Sequence, residues 1–153
     1  MVKDIRVRKI KSGTVIDHIA PGQAMNVLKI IGITEEYPKT TLTVAMNVPS
    51  RKAGTKDIVK VEGRELRAEE VDKISLIAPN AIINIIRDYD VVEKKEVSIP
   101  DRVEGVLRCA NPNCITNSEG IKSKFIVERK EPIKIRCTYC ERIMEEEDLV
   151  RQF

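Results

Sequence analysis

The 153-residue chain has no tryptophan, one histidine, two phenylalanines and three tyrosines. So few rings leave little of the stacking platform on which single-stranded nucleic acids usually rest. The single histidine, His18, has no Ser or Cys nucleophile arranged with it. The phosphate-cradling G-x-x-x-x-G-K-[ST] and G-x-G-x-x-G loops are missing, as are paired catalytic carboxylates. An independent enzyme is therefore disfavoured. No apolar run approaches membrane-spanning length. The opening MVKDIRVRKI has no apolar segment of secretory type, so the expected compartment is the cytoplasm.

Cysteine is absent from the first 108 residues and then occurs as two close pairs, Cys109 with Cys114 and Cys137 with Cys140. Each short C-x4-C or C-x2-C loop can aim two thiolates at one ion, and the intervening chain lets the second pair complete an all-sulfur tetrahedron suited to Zn²⁺ or iron. Buried cysteines acting as small hydrophobes would not be expected to pair this way. Two disulfides would need an oxidising compartment. A redox C-x-x-C would sit at a strand-to-helix junction and lack a second pair. With His18 far away in sequence, the set is closed, and the expected role of one zinc is structural rather than catalytic. Arg108, Lys134, Arg136 and Arg142 lie beside the ligands and are candidates to soften the negative charge of four thiolates.

Residues 1–100 carry 17 basic against 14 acidic side chains, whereas residues 101–153 carry ten of each. A zinc ribbon that grips nucleic acid normally needs a positive face. The neutral cysteine segment instead favours a protein partner, with a nucleic-acid-binding or transcription accessory protein as the rival reading. That segment is also too short to stand without its metal, which predicts two domains.

Strands are expected at residues 5–10 and 14–19 around Lys11-Ser12-Gly13. Pro21-Gly22 opens a helix with Ala24, Val27, Leu28 and Ile31 on one stripe and Gly32 at its end. Residues 41–48 alternate, with Leu42, Val44, Met46 and Val48 on one face, and a strand at 57–62 follows the turn 49–54. A second helix is expected at about 68–78, ending before Pro79, then strands 81–87 and 89–97. The order from Thr14 predicts an α+β chain whose N-terminal part is a ferredoxin-like βαββαβ sandwich with one added strand, its other sheet face free for a ligand or another sheet. Residues 98–101, around Pro100, are the expected linker between residues 1–97 and a small all-β zinc-binding domain at 102–153. Short strands are expected there at 103–107, 124–128 and 133–136. The acidic run 145–148 is expected to be a solvated face.

Lys56, Ile58 and Lys60 share one strand face. With Lys94 and Lys11, these ammonium groups are candidates to converge on a polyphosphate. Spacing alone favours the plainer alternative of exposed charges that blunt a sheet edge. Asp17 and His18, as strand neighbours, are expected to point to opposite faces.

Several blocks taken in order, IKSGTVIDHI, GTKDIVKVE, APNAIIN running into DYDVV, IPDRV, CANPNCI and CTYCE, resemble the regulatory chain of aspartate carbamoyltransferase over nearly the whole length. The resemblance implies a non-catalytic subunit that controls the first committed step of pyrimidine biosynthesis. CTP as inhibitor and ATP as activator, with UTP in some members, would compete for one effector site. Carried over by motif, Ile10 and Tyr89 would contact the base largely through backbone groups, Asp17 and Lys60 would serve the ribose and base region, and His18 and Lys94 would hold phosphates. Lys11, Lys56 and Asn84 would lie close by, which raises the lysine cluster to an anion site. The resemblance further implies regulatory chains paired through their N-terminal domains, in a dodecamer of six catalytic and six regulatory chains. Asn111, Asn113 and Glu141 would face the catalytic chain. Neither nucleic acid nor membrane is an expected partner. Two departures, Ser12 where a basic residue can follow the lysine and Ala110 where proline often follows the first cysteine, bear on effector preference and remove no proposed ligand.

Overall fold

The structure, a computed structural model, describes residues 9–32, 40–51 and 54–153. Five strands form one antiparallel sheet in the order β2-β3-β1-β4-β5. They are β1 (Gly13–Ile19), β2 (Leu42–Ser50), β3 (Gly54–Glu62), β4 (Ile82–Arg87) and β5 (Asp90–Glu96). Helix α1 (Ala24–Ile30) joins β1 to β2, and α2 (Ala68–Ile77) joins β3 to β4. This is the expected split βαβ arrangement with a fifth strand added beyond β4. Of the strand expected at 5–10, residues 5–8 lie outside the described residues, and Lys9 and Ile10 have no regular structure.

Alternation along β3 places Asp57, Val59 and Val61 on the helix side, fully or nearly fully buried, and Lys56, Ile58, Lys60 and Glu62 half-buried on the other. On the helix side, Ile16, Ile19, Val59, Val61 and Ile83 pack against Ala24, Val27 and Ile31 of the α1 segment and against Ile74 and Ile77 of α2. Each fully buried Ile or Val contributes about 1.5–3 kcal/mol, so covering this face dominates the stability of the sheet.

Turn chemistry sets the connections. Pro21 and Gly22, the latter at φ +89°, make a type II turn closed by the Gln23 N–H on the Ala20 carbonyl at 3.0 Å. Asp88 and Tyr89 both take positive φ, 50° and 67°, in a two-residue hairpin of the twist-matched kind between β4 and β5.

In this sheet β1, β2 and β5 depart from clean alternation, β5 at Val92. In β1 the register slips between Ile16 and Ile19, so Asp17 and His18 together oppose β3 at Ile58, and His18 takes φ 56°. The bulge turns His18 back to the side of Asp17, contrary to the opposite-face expectation. In β2 the slip falls between Ala45 and Val48, with Asn47 at φ 56°, so Leu42, Val44, Met46 and Val48 do not form one buried row. Val44 and Met46 are exposed because β2 is an edge strand.

A second sheet runs β6-β7-β8-β9, from β6 (Arg102–Glu104), β7 (Lys124–Lys130), β8 (Ile133–Cys137) and β9 (Ile143–Glu145). The strand expected at 103–107 stops at Glu104, because Gly105 takes φ 71° and its N–H turns to the Ser123 carbonyl at 2.8 Å. A short helix α3 (Ile115–Ser118), strand β9 and helix α4 (Glu146–Val150) were not expected from periodicity. The acidic run does lie mostly in solvent, and it also starts α4: the Asp148 carboxylate accepts the Glu145 N–H at 3.0 Å in a capping box.

The two cores are joined by packing. Leu76 of α2 belongs to the second core, Val150 of α4 packs on the first, and Phe153 touches both. Residues 98–101 are also held, since Ile99 is buried in the second core and the Asp101 carbonyl accepts the Val127 N–H at 2.9 Å. The Gln152 amide grips the Arg108 backbone at both ends, accepting its N–H at 2.9 Å and donating to its carbonyl at 2.7 Å. Phe153→Ala is therefore expected to cost about 2–3 kcal/mol and to split thermal unfolding of the zinc-loaded chain into two steps. A single transition at unchanged Tm in calorimetry would show that Phe153 does not join the cores.

Candidate metal centre and anion-binding face

The four cysteines arrive from two hairpin-like knuckles. Cys109 and Cys114 flank a turn in which the Cys114 N–H reaches the Asn111 carbonyl at 3.0 Å, and Asn117 Nδ2 donates to the carbonyls of Cys109 and Asn111 at 3.0 and 2.8 Å. Cys137 ends β8, and its N–H bonds the Arg142 carbonyl at 2.9 Å, folding Cys140 back. All four Sγ atoms lie within 4.8 Å of one another, with Cys109–Cys140 at 3.5 Å and Cys114–Cys137 at 3.7 Å. A disulfide needs about 2.05 Å, so these are unbonded thiols. A tetrahedron of sulfurs about 2.3 Å from one ion has edges of about 3.8 Å, which is the spacing present.

The thiols are not equivalent. Burial, then the neighbouring thiols, push Cys109 up to about 12. At Cys140, burial also raises the value, but the Arg142 N–H together with the Cys109 thiol and the Asn111 side chain bring it down to about 7. Four thiolates in so small a volume need a dication to coexist. The donors that stabilise them are chiefly backbone amides and one hydroxyl, Thr116 Oγ1 to Cys114 Sγ at 3.2 Å. Arg136 is engaged instead by Glu128. Thr116, buried and two residues past a ligand, was missed in the sequence, where only its spacing from Cys114 could have pointed to it.

The open side of the five-stranded sheet gathers the expected effector residues. Register places Lys60 opposite Val15, Val15 opposite Asn84, and Asn84 opposite Lys94, one lateral row whose side chains share a face. A cavity of about 400 Å³ is lined by Ile10, Val15, Lys60, Asn84, Ile86 and Tyr89. The Tyr89 N–H bonds the Lys11 carbonyl at 2.9 Å, which brings the β4–β5 turn against Ile10 and Lys11. A second cavity, of about 460 Å³, holds His18, Lys56, Ser50, Thr55 and Glu96. Lys94 and Lys11 are exposed.

Asp17 ties the two ends together. Its carboxylate takes the Lys56 ammonium at 2.9 Å and the His18 N–H at 2.6 Å, while the His18 ring stands 3.9 Å away. Burial raises Asp17, but Lys56 and His18 outweigh it and hold the carboxyl below its ordinary value. Burial lowers Lys60, and the charge of Asp17 restores part of the loss. Because the folded value of Asp17 is depressed, its contribution to stability is present above the ordinary carboxylate value and is lost as pH falls through the folded one. Glu96, Ser50 and Thr55 were not anticipated. Only Glu96 carried a signal, two residues from Lys94 on the same strand face.

Family models for the aspartate carbamoyltransferase regulatory chain match the protein twice, its allosteric domain over residues 5–98 and its metal binding domain over 101–150. The chain belongs to this family. Regulatory chains of aspartate carbamoyltransferase from Pyrococcus abyssi and Methanothermobacter thermautotrophicus are 56% and 54% identical over 147 and 151 residues, covering 96% and 98% of this chain and 97% and 96% of theirs. The one from Methanothrix thermoacetophila is 58% identical over 145 residues, 94% of each chain. This regulatory chain is thus non-catalytic, with an allosteric domain and a metal-binding domain whose four-cysteine cluster fits one structural zinc ion. Catalytic chains are the partners its family implies. Among the described residues no helix is long and apolar enough to cross a membrane.

Asn111, Asn113 and Glu141 all sit on the knuckles. The Asn111 side chain is occupied in accepting the Asn113 N–H at 3.0 Å, whereas Asn113 and Glu141 are exposed, near exposed Ile115 and Tyr139 in sequence. Thr116→Val keeps the shape and removes the hydroxyl donor to Cys114. Zinc release to a chromogenic chelator is expected to quicken about tenfold, and an unchanged rate would leave Thr116 without a role at the metal.

Proposed function

We propose that this regulatory chain binds CTP and ATP in competition, with UTP a further candidate, and docks through its zinc domain onto catalytic chains of aspartate carbamoyltransferase. It thereby sets the rate of the first committed step of pyrimidine biosynthesis in the cytoplasm. The observation that carries the reading is the convergence of Lys60, Asn84 and Lys94 in one row of the open sheet face, with Asp17, His18 and Lys56 beside them. Ile10 and Tyr89 offer backbone groups and an apolar wall to a base, Asp17 and Lys60 serve the ribose and base region, and His18 and Lys94 hold phosphates with Lys11 and Lys56 close by. Lysine ammonium groups that converge on one face attract polyphosphate as point charges.

The effector domain is assigned to residues 1–97, the connection to 98–101 and the zinc domain to 102–153. Two regulatory chains pair through their effector domains, within an assembly of six catalytic and six regulatory chains. The exposed nine-residue edge strand β2 supports such pairing, because an uncovered edge with Val44 and Met46 exposed offers both backbone hydrogen bonds and apolar area. Asn113 and Glu141, with Asn111 shaping their loop, face the catalytic chain. A closed zinc site suits that task, since metal binding supplies the folding energy, about 10–16 kcal/mol in small zinc domains, that a core this size lacks.

Regulation is a coupling free energy. A nucleotide shifts the assembly only through its different affinity for two states, and packing of α2 and Phe153 between the cores is the physical link from effector face to zinc domain. Lys60→Ala with Lys94→Ala is expected to weaken CTP and ATP binding by at least about tenfold per lost charged contact while assembly is retained. Effector response that survives the double change overturns the site. Mixing the zinc-loaded chain with catalytic trimers is expected to give a particle of higher mass that a chelator dissociates; trimers of unchanged mass would overturn the docking.

A further inference from the structure

Asp57 is a fully buried carboxylate placed where three segments of the anion end meet. Its Oδ2 accepts the N–H groups of Gly22 and Ala24, at 2.9 and 3.1 Å, and its Oδ1 accepts the N–H of Asn47 at 2.9 Å. A polar group buried without hydrogen-bond partners is costly, and here all three N–H groups are directed at this carboxylate. Gly22 lies in the turn that follows β1, and Ala24 is the first residue of α1. Asn47 is the bulge of the edge strand β2. On the opposite face of the sheet the preceding residue, Lys56, holds Asp17 at 2.9 Å.

The two bulges lie on either side of the same stretch of β3. In β1, Asp17 and His18 oppose Ile58; in β2, Met46 and Asn47 oppose Asp57. The cavity at this end is walled in part by residues 18–21, Ser50, Thr55 and Lys56, chain neighbours of the segments bonded to Asp57, and in part by residues 79–82, Glu96 and Val97. Lys56 adjoins Asp57 in β3 and the His18 bulge lies opposite Ile58 on its other side, so both cationic candidates flank the residue whose carboxylate joins the start of α1 to the β2 bulge.

We propose that Asp57 is a positioning residue that sets His18 and Lys56 for phosphate binding and passes occupancy of that end to the β2 edge and the start of α1. The proposal deepens the effector reading above and rests on it. A residue that only stabilised the fold would not discriminate between a nucleotide and its nucleoside, nor connect ligand to Asn47.

The test uses the full zinc-loaded chain. Calorimetric affinities for CTP and cytidine are compared between wild type and Asp57→Asn, whose amide supplies one acceptor oxygen for three donors. CTP is expected to weaken about tenfold, with cytidine within about twofold. In the wild type, CTP is expected to change hydrogen exchange at the Asn47 and Gly22 amides, and cytidine to leave it unchanged; this measurement stands even if the variant fails to fold. Equal weakening of CTP and cytidine, unchanged CTP binding in the variant, or wild-type exchange at Asn47 indifferent to CTP would each overturn the role of Asp57 while leaving the effector site intact. A wild type that binds neither CTP nor ATP would overturn the effector reading itself, and the role of Asp57 with it.

Discussion

Strand β3 divides the molecule into a side that must be dry and a side that stays open. Its odd-numbered positions, Asp57, Val59 and Val61, are buried beneath α1 and α2, and its even-numbered ones, Lys56, Ile58 and Lys60, line the uncovered face. Side chains on a strand alternate without exception unless a bulge intervenes, so burying one set commits the other. The neighbouring strands add Val15, Asp17 and Asn84 to the open face, and the candidate effector surface is the face left over once the opposite one is covered.

The zinc domain meets a different constraint with a different device. Its core is small, centred on Phe125, Ile135, Met144 and Leu149, and the cysteines are themselves part of it. Four buried or half-buried thiols that resist joint ionisation become compatible once an ion links them, so the metal both satisfies the charge and closes the fold. The effector domain has its larger core and no such need. What ties the two is modest in area yet continuous: Leu76, Val150 and Phe153 packed between cores, and the Gln152 amide on the Arg108 backbone next to Cys109. This contact is the physical connection between the allosteric and metal-binding domains.

Much of this was legible in the residues. The periods of 2 and 3.6, Pro21-Gly22, and the stop before Pro79 were enough for the element order of the first sheet, and the cysteine pairs for the metal. The bulges at His18 and Asn47 were not legible, because nothing in Asp17-His18 or Met46-Asn47 marks a break in alternation; the Asn47 N–H goes to the carboxylate of Asp57, ten residues on, and the His18 N–H to the carboxylate of Asp17. The run Glu145 to Asp148 read as solvated charge, since a five-residue helix is too short to display a period, and its capping pair was hidden among like residues.

By itself the sequence determined which residues exist in positions local enough to specify geometry: two thiolate pairs in tight loops, alternating strands, and turns with the required glycine and proline. These depend on neighbours a few positions apart, and chain stiffness enforces them. Only the tertiary structure decided that Lys60, Asn84 and Lys94 share a row, that Asp17 pairs with Lys56 and His18 on the open face, and that Asp57 gathers a turn, the start of α1 and the bulge of β2. Those relations join residues distant along the chain, and they arise from sheet register, which is set by burial of the whole helix-covered face rather than by any one segment.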